Sequence, residues 1–210
     1  MIRILLIDDH AVVRAGYRRF LERSNLVTVV AEGESAEQGY ALFRQQAPDV
    51  SIVDLSMQGV GGLELIRRIM AHEPQARVLV FSMHEEAVFA ERALQAGARG
   101  YVTKQSAPDV LVDAVHAVHA GRRFLSPDMA QQLTLRKVDE HPVTALSAKE
   151  FEVFRLIAQG QSVANVANTL NLSLKTVANH QTQVKEKLGA STSTALVHIA
   201  FRHGVIALSA

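Results

Sequence analysis

The chain has 210 residues, of which 48% are hydrophobic and 20% charged, and it contains no cysteine. That apolar share can bury a core, which excludes wholesale disorder; the missing thiols exclude disulfide frameworks, cysteine–zinc centres and thiol nucleophiles. The formal net charge of +1 conceals an asymmetry: residues 1–123 carry 14 basic against 15 acidic side chains, residues 143–210 carry 6 against 3. A mildly basic C-terminal third points to a polyanionic partner or, equally, to ordinary solvated charge.

The first apolar run, Ile2–Ile7, is cut short by Asp8 and Asp9, too early for a secretory leader. No run is long enough to span a bilayer, so a cytoplasmic location without a membrane partner is expected. Further runs follow at Val27–Ala31, Val50–Val53, Val78–Phe81 and Tyr101–Val102. They are nearly continuous in apolar character, as in strands buried on both faces of a parallel sheet. Between them lie helix-length segments with apolar stripes, such as Val13, Tyr17, Phe20 and Leu21, or Leu111, Val115 and Val118. Ser35 is placed to cap the second helix and Pro108 to open the fifth. The fold class predicted for this part is α/β, a doubly wound parallel sheet of five strands.

Polar residues gather at the C-terminal ends of these strands: Asp8 and Asp9, Asp54, Ser82, and Thr103 with Lys104. In open α/β sheets that edge binds ligands, at the point where strand order reverses. Three converging carboxylates repel and need a cation or shared protons. With oxygen ligands and no histidine or cysteine among them, the expected cation is hard, Mg²⁺. Asp54 is the candidate nucleophile for a phosphoryl group, Lys104 would neutralise that group from the side opposite the metal, and Ser82 would donate to one of its oxygens. An aspartyl phosphatase has the same catalogue, but the second acid such enzymes place two residues after the nucleophile is here Ser56. Tyr101 by itself reads equally well as a half-buried edge-strand tyrosine.

The set Asp8-Asp9, Asp54, Ser82 and Tyr101-x-x-Lys104 resembles the receiver domain of two-component response regulators, over about residues 1–120. The resemblance implies a flavodoxin-like strand order 2-1-3-4-5. It implies phosphorylation of Asp54 by a sensor histidine kinase. It also implies Mg²⁺ on Asp9, Asp54 and the backbone carbonyl of Ser56, with Asp8 helping through water. Ser82 and Tyr101 would be a switch pair, the hydroxyl moving toward the phosphoryl group and the ring turning inward. Ser56 and His84 would tune water attack on the acyl-phosphate. Gln58 and Gln105 stand where many receivers carry proline. The Gly59–Gly62 cluster lacks the lysine and threonine of a phosphate-binding loop, and His116 with His119 reads as surface histidines.

Ser126-Pro127-Asp128 signals a short helix to about Leu133, followed by the polar stretch Arg136–Pro142. Residues 1–121, 122–142 and 143–210 are thus expected as receiver, linker and a small all-α domain. In that last domain Ser147-Ala-Lys-Glu150 matches a capping box, and Phe151, Phe154, Leu156 and Ile157 form an apolar stripe. Ser162 and Ser173 cap two helices joined at Asn171-Leu172, the second running to Leu188, and a fourth helix spans about Ser193 to Arg202. Two capped helices joined by a tight turn suggest a helix-turn-helix. In the helix 174–188, Leu174, Val177, Val184 and Leu188 are expected to face inward. Lys175, Thr176, Asn179, His180, Thr182, Gln183 and Lys185 would present donors to a major groove.

Leu146-Ser-Ala-Lys-Glu150, Leu156-Ile-Ala-Gln-Gly160, Ser173-Leu-Lys-Thr-Val177, His180 and Lys187-Leu-Gly189 resemble the LuxR-type helix-turn-helix. Joined to a receiver, the chain is similar to the NarL/FixJ class of response regulators. This implies that Lys175, Thr176 and Val177 start the recognition helix, that Lys187 sits near DNA phosphates, and that a homodimer forms through the last helix on paired half-sites. Lys149 and Ala178 stand where that family favours basic residues with different reach, and Val163-Ala164-Asn165 offers few phosphate contacts. The expectation is a non-enzymatic regulator that binds promoter DNA under phosphorylation control. The alternatives are an Mg²⁺-dependent aspartyl phosphatase with a DNA-binding appendage and a phosphorylation-independent DNA-binding protein.

Overall fold

The computed structural model describes residues 1–57, 61–135 and 142–206. Gln58, Gly59 and the polar stretch 136–141 singled out in the sequence lie outside them. The described chain forms two compact units, an α/β unit as far as Leu135 and a helical unit built from 142 onward. Among the described residues no helix is long and apolar enough to cross a membrane.

In the α/β unit, strands β1 (Ile2–Ile7), β2 (Val27–Gly33), β3 (Val50–Val53), β4 (Val78–Ser82), β5 (Gly100–Thr103) and β6 (Phe124–Leu125) alternate with α1 (Ala11–Leu21), α2 (Ala36–Gln46), α3 (Gly62–His72), α4 (Ala87–Gln95) and α5 (Pro108–His119). A sixth helix, α6 (Pro127–Leu135), follows β6. The strands form one parallel sheet in the order β2-β1-β3-β4-β5-β6. One face buries Ile4, Leu6, Val29, Ile52, Leu79, Phe81 and Val102 against Leu21 of α1 and Leu111, Val115 and Val118 of α5. On the other face Gly39 of α2 lies so close to Ile7 that a Cβ there would sit 2.9 Å from the isoleucine Cδ1. Covering both faces explains why the strands read as unbroken apolar runs. Ser35 caps α2 by accepting from the Gln38 N–H, and Pro108 opens α5, as the sequence predicts.

The sheet has six strands, not the expected five. Phe124 and Leu125 pair parallel with Gly100 and Tyr101, and the Ser126 N–H donates to the Tyr101 carbonyl. Two residues carry no hydrophobic period; they become a strand because the open edge of β5 offers unpaired carbonyl and N–H groups. The same edge holds α6, whose Asp128 carboxylate accepts from the Thr103 hydroxyl at 3.1 Å. Material expected in the linker therefore belongs to the sheet.

The helical unit comprises α7 (Ala148–Ala158), α8 (Val163–Leu170), α9 (Leu174–Leu188) and α10 (Ser193–Arg202). Ser147, Ser162, Ser173 and Thr192 each accept a hydrogen bond from an N–H in the first turn, and Ser147 with Glu150 completes the capping box. Asn171 and Gly189 close α8 and α9 at φ 54° and 63°, the left-handed region. Phe151, Phe154, Leu156, Val166, Val177, Val184, Leu188 and Leu196 form the core. Leu174, expected inside, is 59% exposed. It is the first residue of α9, and helical side chains lean toward the N-terminus, so it projects past the tip of the helix.

Gly62 ties the fold to the polar edge of the sheet. A Cβ there would lie 2.2 Å from the Asp54 carbonyl oxygen and 2.8 Å from the Leu55 Cα. Gly62→Ala is expected to lower the unfolding free energy by about 1–3 kcal/mol, read by urea denaturation of the full chain. A midpoint equal to wild type would show that this contact yields without cost.

Candidate functional site

The chain runs from β1 to the neighbouring β2 and then crosses to β3 on the other side of β1, so the strand order reverses between β1 and β3. The ladder continues one residue beyond each strand. The Asp8 N–H donates to the Gly33 carbonyl and the Asp54 N–H to the Ile7 carbonyl, which sets two carboxylates side by side at the reversal. Both are buried. Lys104 follows β5 and is held by its N–H on the Ser82 carbonyl. Its ammonium lies 2.6 Å from Asp8 Oδ2 and 2.7 Å from Asp54 Oδ2. Burial opposes the lysine charge, but the two carboxylates outweigh it and raise its pKa above the ordinary lysine value. The Ser56 N–H donates to Asp54 Oδ1 at 3.1 Å.

Asp8, Asp9, His10 and Asp54 each bring a ligand atom within 4.8 Å of the others. Three carboxylates face one buried ammonium, so the pocket keeps excess negative charge that a divalent cation would balance. The aspartates are oxygen donors of the kind Mg²⁺ takes, and the donor set fits that ion. The sequence reading, however, excluded histidine from the cluster. His10 directly follows the aspartates, its Nδ1 2.9 Å from Asp9 Oδ1 and 3.1 Å from Asp8 Oδ1. Adjacency to the acidic pair was the available signal. Arg14, on the first turn of α1, was also missed; its guanidinium donates to the Asp8 carbonyl and faces Glu32 of β2 at 3.6 Å. Its spacing of six residues from Asp8 matches no strand or helix period across the turn between them.

Ser82 and Tyr101 meet through one residue. The Tyr101 hydroxyl donates to the His84 carbonyl at 2.8 Å, and the His84 N–H donates to Ser82 Oγ at 3.3 Å. Tyr101 is wholly buried rather than half-buried, because β6 pairs along its strand.

In the helical unit, α9 turns Lys175, Asn179, Thr182 and Gln183 to solvent, with Thr176 and His180 partly covered. The His180 ring lies 3.3 Å from the Gln183 amide oxygen, and the Thr182 hydroxyl donates to the Ala178 carbonyl. One residue expected at DNA is placed otherwise: Val177 is fully buried and seats the helix, so its side chain cannot touch a base. Lys187 stays exposed, its side chain 42% accessible, while its ammonium lies 2.7 and 2.9 Å from the two oxygens of Glu150. Sequence patterning cannot see this pair, because its members are 37 residues apart.

Residues 4–116 match the family described as response regulator receiver domain, and residues 144–200 match the bacterial regulatory proteins of the luxR family. The chain belongs to the response regulators that join a receiver to a LuxR-type helix-turn-helix, DNA-binding regulators of two-component systems. It is 37% identical to the response regulator UvrY of Escherichia coli (strain K12), over 98% of this chain and 96% of that protein. It is 38% identical to the response regulator GacA of Pseudomonas viridiflava, over the full length of both. Among solved structures it is similar to RcsB of Salmonella enterica serovar Typhimurium bound to promoter DNA with the phosphomimetic BeF3⁻, with TM-score 0.69, 30% identity, and coverage of 94% of this chain and 97% of that one. The family assignment lends no support to the phosphatase alternative.

The Glu150–Lys187 pair generates a pH prediction. Burial works against the Glu150 charge, yet Lys187 and the Ser147 backbone and hydroxyl hold its carboxyl below the ordinary glutamate range. A depressed carboxylate pKa contributes stability above the unfolded value and loses it as pH falls through the folded one. Lys187→Met is expected to destabilise the helical unit by about 0.5–1 kcal/mol at pH 7, since the lysine is 42% exposed and solvent screens the pair, and to flatten its loss of stability toward pH 4. Urea melts at both pH values measure this; an equal deficit at each would refute the linkage.

Proposed function

We propose that Asp54 is the phosphoacceptor for a sensor histidine kinase and that its phosphorylation controls dimerisation and promoter binding. A carboxylate oxygen of Asp54 would attack the phosphorus of a phosphohistidine, and the P–N bond breaks as the imidazole leaves. The observation that carries this reading is the buried Lys104 ammonium bridging Asp54 and Asp8 at the strand-order reversal. Lys104 would follow the new phosphoryl charge, and Ser82 would donate to one of its oxygens. Asp9, Asp54 and the Ser56 carbonyl would hold Mg²⁺, with Asp8 assisting through water; when bound, the ion neutralises charge on the transferring group. The Ser82–His84–Tyr101 contacts support a switch pair whose ring, as placed, points inward.

The phosphoacceptor domain would span residues 1–121, with β6 and α6 as an annex of its sheet, and the DNA-binding domain would begin at 143. Lys175, Thr176, Asn179, His180, Thr182 and Gln183 would meet DNA, with Lys187 near its phosphates and Val177 supporting the helix from within. The complex of RcsB with promoter DNA and BeF3⁻ supports coupling of receiver chemistry to DNA binding, and the structure of two RcsB dimers on DNA supports a homodimer. A chain that meets both kinase and chromosome would work in the cytoplasm and act through binding rather than turnover.

Capture of genomic fragments with and without a small phosphodonor tests this. Wild type is expected to retain more promoter DNA when the donor is present, and Asp54→Asn to be indifferent to it. An equal donor response from Asp54→Asn would place the control elsewhere. Because Lys187 is engaged with Glu150 and the start of α8 carries no basic residue, few phosphates are neutralised. The slope of log affinity against log salt is therefore expected to be shallow, well short of the value of about −10 of a many-contact repressor. Fluorescence anisotropy across a salt series measures it, and a slope near −10 would refute the short contact set.

A further inference from the structure

We propose that Arg14 is a positioning residue of the acidic pocket: it closes a clamp on the Asp8–Asp9 peptide, fixes the direction of Asp9, and so sets the pocket's affinity for its cation. The inference rests on reading that pocket as the cation site of a phosphoacceptor domain, and it adds a residue to that reading. Three observations carry it. First, Asp8 is held by both of its backbone groups. Its N–H donates to the Gly33 carbonyl, and its carbonyl accepts from Nη1 of the Arg14 guanidinium. Second, the two holds are joined. Glu32 directly precedes Gly33 in β2, and its Oε2 lies 3.6 Å from Arg14 Nε while its Oε1 accepts from Arg18 Nη1 at 2.7 Å. Asp8, Arg14, Glu32 and Gly33 thus form a closed ring that ties the end of β1 to β2 through α1. Third, Arg14 is withdrawn from solvent, its side chain 13% exposed, and its own N–H donates to the His10 carbonyl in the first turn of α1. The helix therefore fixes where the guanidinium stands.

The Asp8 carbonyl and the Asp9 N–H belong to one planar peptide unit, so a hold on the carbonyl sets the plane from which the Asp9 side chain departs. Asp9 is the most exposed of the three carboxylates, 22% against 3% for Asp8 and 1% for Asp54, so burial confines it least and backbone direction matters most. The planar guanidinium engages the carbonyl through one nitrogen and faces Glu32 with another, a division that an ammonium on a flexible stem does not reproduce. Position and charge make opposite forecasts. A guanidinium beside a cation site repels the ion, so if charge were its contribution, removing it would tighten metal binding. If it orients a ligand, removing it weakens binding.

The test uses the full-length protein and Mn²⁺ as probe, its binding read from the EPR signal of the free ion. Arg14→Met, which keeps the stem and removes the guanidinium, is expected to bind Mn²⁺ about ten-fold more weakly than wild type, the order found for groups that orient a metal ligand. Arg14→Lys keeps the charge without the planar fork and is expected to fall between the two. Unchanged or tighter binding by Arg14→Met, or wild-type binding by Arg14→Lys, would overturn the proposal. Far-UV circular dichroism checks that each variant is folded, and if Arg14→Met is not, Arg14→Lys decides alone. Asp54→Asn separates the two readings. If it binds Mn²⁺ as tightly as wild type, the metal lies outside the pocket and the phosphoacceptor reading falls with the proposal; weakened binding by Asp54→Asn with wild-type binding by both Arg14 variants removes only the role of Arg14.

Discussion

The α/β unit is organised around a repulsion. Asp8, Asp9 and Asp54 converge at one end of a parallel sheet, and the buried Lys104 ammonium sits against Asp8 and Asp54. Such a cluster is costly to assemble, since each carboxylate would be better hydrated apart from the others. The fold tolerates it because the backbone ladder on either side of β1 leaves no freedom to separate them: Asp8 is fixed on Gly33 and Asp54 on Ile7. The stored charge is what gives the pocket its chemistry. In the reading proposed above, a cation and a phosphoryl group would both find a place there, and Lys104 already lies against Asp8 and Asp54.

Because Lys104 is tethered through its backbone to Ser82, and Tyr101 through its hydroxyl to His84, the ends of β4 and β5 share one hydrogen-bonded unit. Thr103, next to Lys104, bonds to Asp128 at the start of α6. A change of charge at Asp54 therefore has contiguous routes along β5 to the last elements of the sheet unit. These routes are physical contacts, and coupling along them is a matter for the measurements described above.

The helical unit handles charge in the opposite way. Glu150 completes a capping box with Ser147 and also pairs with the ammonium of the exposed Lys187, which joins α7 to α9. The remaining polar side chains of α9 stay at the surface. A helix that exposes amides and hydroxyls suits contact with base edges, while its few basic side chains leave less for the phosphate backbone.

Much of this architecture is legible in local pattern. The apolar runs mark β1, β3 and β4 almost residue by residue, because a strand covered on both faces is mostly apolar, with Arg3 and Ser51 as the exceptions. The capping serines mark the helix starts, because an N-cap is a contact between residues three apart. Asp54, Lys104 and Ser82 could be placed at one edge since each ends such a run. What local pattern could not show depends on partners distant in the chain. Phe124 and Leu125 become a strand against β5, Tyr101 is wholly buried, and Lys187 meets Glu150 across 37 positions of the chain. Leu174 shows the reverse, an apolar residue in step with its helix but left outside by its position at the tip. Hydrophobic period and capping act within a few residues, so the sequence by itself determined the elements and the residue types at the sheet edge. Edge pairing, long-range ion pairs and the entry of His10 into the acidic pocket depend on where the backbone brings separate atoms, and only the tertiary structure decided them.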